Sequence, residues 1–293
     1  MQQIHAPFGD ARAPERGRSS LQFPAYAGAG GEGPLLERTE TFRDRVQGEN
    51  GVIEDGSLEN LYDPILRKIK DWGLLSDLVF FGSGSAVETN SGAIPKLFDA
   101  SGNEYDHTQG DTARQPTLNK SGIGGRWDMY FDGGDTLTFS SQLITETQNP
   151  TIFIVLKTQQ TSDRKILGAA GSGDLSSGGA EGLNPSTEYG VRVSGGNELY
   201  NTSPSGSREL LTLRQDGPNV TDFQAWINGN ELSVSSSSSL TTDYESGSKS
   251  LIGGDYDGPE LDGKIGAYLV FNVPLRNTNK SKIESILQDY YSI

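Results

Sequence analysis

The chain has 293 residues, no cysteine, two histidines (His5 and His107) and a formal net charge of −15 from 24 basic and 39 acidic side chains. That length allows one large or two smaller domains with a substantial core. It excludes disulfides, thiolate metal sites and a cysteine nucleophile. The acidic balance repels phosphate, which argues against a nucleic-acid partner, and no apolar run approaches the roughly 18 residues of a membrane span.

In chain order, residues 1–56 come first, and they differ from the rest. The first fifty residues hold seven Gly, four Pro, six Arg and seven acids, with few aliphatics and no sustained period. Such a stretch buries too little apolar surface to offset its chain entropy. It reads as an extended arm that neighbouring subunits of an assembly would order. MQQIHAPFGDARAPERGRSS has no apolar segment of the secretory kind. Residues 57–75 follow as a short helix and linker. Asp63 is placed to cap, Pro64 suits the first helical position and Gly73 the stop. Leu61, Ile65, Ile69 and Trp72 share one face, so a helix is expected over about 64–72, docking on the protein's own sandwich.

From residue 76 onward, short apolar runs alternate with Gly, Ser, Asn and Asp clusters. Strands are expected at 78–81, 128–131, 136–139, 151–158, 165–170, 189–193, 209–215, 223–227, 231–234, 250–254 and 264–271. Strict alternation sets Phe223, Ala225 and Ile227 opposite Gln224 and Trp226. It sets Ile265, Ala267 and Leu269 opposite Gly266, Tyr268 and Val270. Asn228-Gly229-Asn230 is a strong hairpin signal, because Asn and Gly tolerate positive φ. Ile283, Ile286, Leu287 and Tyr290 mark a terminal amphipathic helix. Many short strands joined by turn residues describe an antiparallel sandwich.

Four ordered segments resemble the concanavalin A-like lectin/glucanase superfamily, in its laminin-G-like branch. In LDGKIGAYLVFNVPLRNTNKSKIESILQDYYSI, residues Leu261, Asp262, Gly263, Ile265, Leu275, Ile283 and Tyr291 fall on that branch's closing pattern. KLFDASGNEYDHTQGDTARQPTL, GGRWDMYFDGGDTLTF and FQAWINGNEL resemble its opening loop, its Phe-Asp-Gly-Gly strand turn and its Asn-Gly hairpin. The resemblance implies an all-β, antiparallel two-sheet jelly-roll sandwich over 76–293, with the N-terminal arm and two short helices outside it. It implies no single function, since the superfamily spans sugar binders, glycosidases and structural modules.

The chemistry in the sequence is sparse. Glycoside hydrolysis needs two carboxylates flanking the bond. The superfamily's Glu-x-Asp-x-x-Glu has its nearest match at Glu260-Leu261-Asp262-Gly263-Lys264-Ile265, where Ile265 stands in place of the second acid. GSGSA at 82–86 lacks the spacing of a nucleophile elbow. Calcium is the one ion with closely spaced ligands, at Asp99, Ser101, Asn103 and Asp106, and at Asp255, Asp257, Glu260 and Asp262. Either loop would need further oxygens, and the same residues populate ordinary turns. Sugar binding needs an exposed aromatic platform with convergent polar groups, for which Trp226, Tyr200, Tyr189 and Tyr244 are the candidates. For Trp226 the favoured reading is that it faces the opposite sheet in the core, since tryptophan is usually largely buried.

An arm at one end and a lectin-like jelly roll at the other resemble tailed-phage virion accessory proteins: capsid decoration proteins, head fibres and tail-associated adhesins. The expectation is a non-enzymatic structural protein, made in a host cytoplasm and located on the phage particle. Residues 1–56 would bind other virion proteins or copies of itself. The alternative is a glycan-binding adhesion module for host or surface attachment, and a glycoside hydrolase is the third reading. No cofactor is expected beyond the calcium weighed above.

Overall fold

A computed structural model describes residues 35–139, 149–158, 166–170, 182–183, 189–193, 196–200, 202–237, 249–254 and 261–293. Helix α1 (Glu37–Gly48) is followed by β1 (Val52–Ile53) and by a π-helical turn (Leu58–Tyr62) that runs into α2 (Asp63–Asp71). Then come β2 (Leu78–Ser83), β3 (Ala86–Asn90), β4 (Ala93–Leu97), β5 (His107–Thr108), β6 (Thr117–Asn119), β7 (Asp128–Asp132) and β8 (Leu137–Phe139). They are followed by β9 (Thr151–Thr158), β10 (Leu167–Ala170), β11 (Gly182–Leu183), β12 (Tyr189–Val193), β13 (Gly196–Tyr200) and β14 (Glu209–Gln215). The last are β15 (Phe223–Ile227), β16 (Asn230–Glu231), β17 (Val234–Ser237), β18 (Lys249–Ile252), β19 (Asp262–Phe271) and α3 (Asn277–Tyr291).

Among the described strands every pairing is antiparallel. One layer runs β2-β19-β9-β14-β15-β16 and the other β10-β18-β8-β5-β4-β6-β7. β19 belongs to both. Its first half pairs β7, from Asp262↔Asp132 to Ile265↔Met129, and its second half pairs β2, from Ala267↔Ser83 to Phe271↔Leu78. β9 lies along its other edge throughout. A smaller sheet, β11-β12-β13-β17, sits beside them.

The two layers enclose one apolar core. Phe80, Ile154, Leu211, Ala225 and Val270 meet Leu97, Met129, Phe131, Leu137 and Phe139 in it, and Phe80 and Phe139 touch with ring centroids 6.4 Å apart. Each of these side chains larger than Ala225 contributes about 1.5–3 kcal/mol by leaving water. A second core lies on the outer face of the β2-β19-β9-β14 layer. There α1 (Phe42, Val46), α2 (Ile65, Leu66, Ile69) and α3 (Ile283, Leu287, Tyr291) cover Phe81, Phe153, Val155 and Leu269. This double cover explains the unbroken apolar run TIFIVL of β9, since a strand buried on both faces needs no polar alternation.

Several expectations are corrected. Residues 37–48 are not extended arm. They form α1, held on the sandwich by Thr39, Phe42 and Val46 on one face. With α1 present, α-helices number three among the described residues. Residues 1–34 lie outside those described. Asp63 does not cap its own helix. It accepts hydrogen bonds from the Leu36 backbone N–H (2.5 Å) and the Thr39 hydroxyl (3.1 Å), and so tethers the start of α1. Strict alternation in β19 breaks at a bulge between Ile265 and Ala267. Ile265, Tyr268 and Val270 therefore face the inter-sheet core while Ala267, Leu269 and Phe271 face the helices. The bulge falls at Gly266, where a Cβ would lie 2.7 Å from Cε1 of Tyr291. The expected strand at 231–234 is two strands in different sheets, β16 and β17. The Asn-Gly hairpin is as expected: Asn228 (φ 52°) and Gly229 (φ 81°) both take the left-handed backbone that joins β15 to β16.

Candidate functional site

The helices cover only part of the β19/β9 outer face. Before the bulge, the outward positions of β19 are Asp262 and Lys264, and beyond Val155 on β9 the outward position is Lys157. Across β19 from them, β7 turns Met129 and Phe131 into the core and Tyr130 and Asp132 to solvent. The register lines these residues up. Thr117, Tyr130, Lys264 and Lys157 form one row across β6-β7-β19-β9, and Asp132 stands directly opposite Asp262 in the next. Thr117, Tyr130, Asp132, Lys157 and Asp262 are exposed.

Tyr130 is the centre of this open face. It is 38% exposed, and with Tyr105 and Val234 it is one of three large apolar side chains exposed among the described residues. Partial burial, then the carboxylates of Asp262, Asp132 and Asp135, hold its phenol above the ordinary tyrosine value. The hydroxyl therefore stays protonated as a donor, beside an aromatic ring open to solvent. Two ammonium groups and two carboxylates stand within the same rows. Such a surface offers a stacking plane with donors and acceptors around it. The residue was legible in DMYFD, because inward Met129 and Phe131 leave Tyr130 outward by strand parity.

The expected aromatic platform is not presented. Trp226, Tyr200 and Tyr189 are 6%, 1% and 1% exposed, and Tyr244 lies outside the described residues. Tyr189 and Tyr200 are partners across β12 and β13 and pack into the inter-sheet core. The Tyr189 hydroxyl donates to Glu209 at 2.5 Å. Trp226 does not face the opposite sheet either. Phe223 and Ala225 fill the inter-sheet core, so Trp226 turns outward, where α3 lies over it. Lys280 Nζ stands 4.1 Å from its ring centroid and the Arg214 guanidinium 5.2 Å. Lys280 is itself paired with Glu284 at 2.9 Å, and Thr212 donates to the same carboxylate at 2.8 Å. The cluster clamps α3 to β14 and β15.

The first calcium cluster is placed as a hydrogen-bonded turn. Asp99 accepts from the backbone N–H groups of Phe81 (3.0 Å), Ser101 (2.8 Å) and Tyr105 (3.1 Å) and from the Ser101 hydroxyl (2.6 Å). Burial raises its pKa against these bonds. Asp106 accepts from the Asp99 N–H at 2.8 Å and pairs with Arg45 (2.8 Å) and Lys96 (2.9 Å). Asn103 spends its amide N–H groups on the carbonyls of Leu78 and Val79, both at 2.9 Å. Asp255, Asp257 and Glu260 lie outside the described residues. Among the described residues no group of three or more His, Asp or Glu could hold a metal ion.

No family model matches the chain, and no curated protein matches it in sequence. Solved structures share its fold. Domain 4 of AbnA, a GH43 extracellular arabinanase from Geobacillus stearothermophilus solved in complex with arabinotriose, is 15% identical. The match covers 72% of this chain and 98% of that one, with a TM-score of 0.52. Trypanosoma rangeli sialidase with the inhibitor DANA is 14% identical over 80% of this chain and 39% of the sialidase, with a TM-score of 0.48. The binding domain of Paraclostridial Mosquitocidal Protein 1 is 11% identical over 74% of this chain and 53% of that one, with a TM-score of 0.47. The chain thus spans less than two thirds of the sialidase and of the toxin domain. The class defined by the fold is an all-β, two-layer antiparallel sandwich, backed by helices on one sheet and open where β6, β7, β19 and β9 run side by side.

Proposed function

We propose that this chain is a non-catalytic carbohydrate-binding sandwich module that takes surface glycans on the open face centred on Tyr130. The observation that carries the reading is the mid-strand exposure of Tyr130 between Lys264 and the Asp132–Asp262 pair. A sugar ring presents an apolar face to an aromatic and hydroxyls to the polar groups around it, and this surface supplies both. The fold shared with arabinanase domain 4, whose structure holds arabinotriose, supports the same class.

Binding is favoured over cleavage by where the perturbed acids lie. A glycosidase keeps one carboxyl raised beside the scissile bond to act as acid. Among the described residues, the carboxyls that burial is seen to raise are Asp99 and Asp128, and both are buried. Asp99 is engaged by four donors, and Asp128 accepts the Ile123 N–H at 2.7 Å beneath Gly122. Carriage of the module on a phage particle, with attachment through its N-terminal residues, rests on sequence resemblance alone.

The test is a glycan array followed by calorimetry with the best oligosaccharide. Saturable binding that weakens at least tenfold in Tyr130→Ala, about 1.4 kcal/mol, with no release of reducing sugar, is the expected outcome. Unchanged affinity in the variant removes Tyr130 from the site, and turnover of the bound glycan removes the non-catalytic reading.

A further inference from the structure

A second concave site lies away from the open face, between α1 and the 99–104 loop. It has a volume of about 330 Å³ and is bordered by Glu37, Arg38, Thr41, Phe42, Gly102 and Glu104, with Arg45, Asp99 and Ala100 behind them. That volume is at the lower end of small-ligand pockets. The Arg38 guanidinium lies against Gly102, where an added Cβ would be 3.0 Å from Cζ, Nε and Nη2. Gly102 also has a φ of +88°, so the loop holds its shape only with glycine there. The close approach gives the planar cation a flat neighbour and fixes it at the cleft.

The polar accounting at this cleft is incomplete on one side. Arg45 is committed to Asp106 and to the Asp99 carbonyl, and Asp99 is committed to its four donors. Nη1 of Arg38, in contrast, is buried with no hydrogen-bond partner. The other guanidinium N–H groups of Arg38 also lack an acceptor among the described residues and, unlike Nη1, are not sealed from the cleft, so a ligand oxygen there would gain a charge-assisted hydrogen bond. Glu37 and Glu104 are exposed at the rim and supply acceptors only. The Thr41 hydroxyl, which donates to the Glu37 carbonyl at 2.9 Å, keeps its lone pairs for a donor.

We propose that this cleft is a binding site for a neutral saccharide unit, separate from the Tyr130 face. A neutral polyhydroxyl ring accepts from Arg38 and donates to Glu37, Glu104 and Thr41, with the Phe42 ring as apolar floor. A carboxylate ligand would satisfy Arg38 but meet two rim carboxylates with no second uncommitted cation among the described residues of the cleft. An organic cation would meet the like-charged guanidinium of Arg38 at the same cleft. The site would make the molecule bivalent for glycans if the open face also binds, and it stands without that face.

The experiment is NMR on the full chain, titrated to tens of millimolar with D-glucose, D-galactose, L-arabinose and maltose, and separately with D-glucuronate. At least one neutral sugar should move the Arg38 Nε–H and Thr41 amide resonances in saturable fashion, equally in wild type and Tyr130→Ala. Arg38→Met and the cleft-filling Thr41→Trp should each weaken that response at least tenfold. The proposal is overturned if no neutral sugar moves these resonances, if the response survives both cleft variants, or if glucuronate binds more tightly than every neutral sugar. Failure of glycan binding at Tyr130 alone would leave the Arg38 and Thr41 shifts in place, so the two readings separate.

Discussion

His107 lies between Phe80 and Phe139, with ring centroids 4.5 and 4.8 Å away, and it is fully buried. Burial pushes its imidazole down to about 3, against an upward pull from Asp106. The folded protein therefore keeps it neutral, while the unfolded chain takes up the proton near pH 6.5. Between those two values the unfolded state binds more protons, so stability present above pH 6.5 is lost as the pH falls toward 3. The loss approaches about 1.4 kcal/mol per pH unit, which is about 2 kcal/mol at pH 5 relative to pH 7. Asp99 and Asp128 act with the opposite sign, because burial raises them and the folded state gains from their protonation. Their contribution is shared by wild type and a His107 variant and cancels in the difference. Urea unfolding of wild type, His107→Phe and His107→Leu at pH 7 and pH 5 isolates the imidazole. Wild type should lose about 2 kcal/mol more than either variant. Parallel losses in all three, or a His107 imidazole, assigned by its absence from the variants, that titrates near 6.5 by NMR in the folded protein, would refute the reasoning.

Other consequences follow from the packing. Glu284→Ala strands the buried Lys280 ammonium beneath α3, so urea unfolding should show a loss of about 3–5 kcal/mol. The double variant Lys280→Met/Glu284→Leu removes both charges and should stay close to wild type in the same assay. Gly124→Ala places a Cβ 1.9 Å from the Tyr291 carbonyl oxygen at a residue with φ +63°. A cost of about 2 kcal/mol should appear in calorimetry as a Tm lowered by roughly 4–8 °C.

The sandwich was legible because its central strands are written in apolar runs that leave little choice. TIFIVLKT, YGVRV, ELLTLRQ and FQAWI match β9, β12, β14 and β15 at both ends. β3 and β4 were missed, since AVETN and AIPKL are short, carry Pro95 and pair through a bulged hairpin. α1 was missed because ERTETFRDRVQG has only Thr39, Phe42 and Val46 to bury. Spacing of three and four residues is visible afterwards, but two apolar side chains do not declare a helix in a polar segment. The site went wrong for a different reason. Strand parity told which residues share a face, and the face that α3 would cover could not be read from β15 alone. Trp226 was therefore set against the opposite sheet although α3 is what buries it, while Tyr130 went unnamed although its own strand carries the parity that turns it outward.

Calorimetric titration of wild type and Tyr130→Ala with the tightest oligosaccharide from an array addresses the open sheet face most directly. The substitution is on an exposed side chain and should change folding stability by no more than about 0.5 kcal/mol, so a matching melting curve shows that the fold is kept. Binding to wild type that falls at least tenfold in the variant is the expected result. Equal binding by both proteins, or no glycan bound by either, contradicts it.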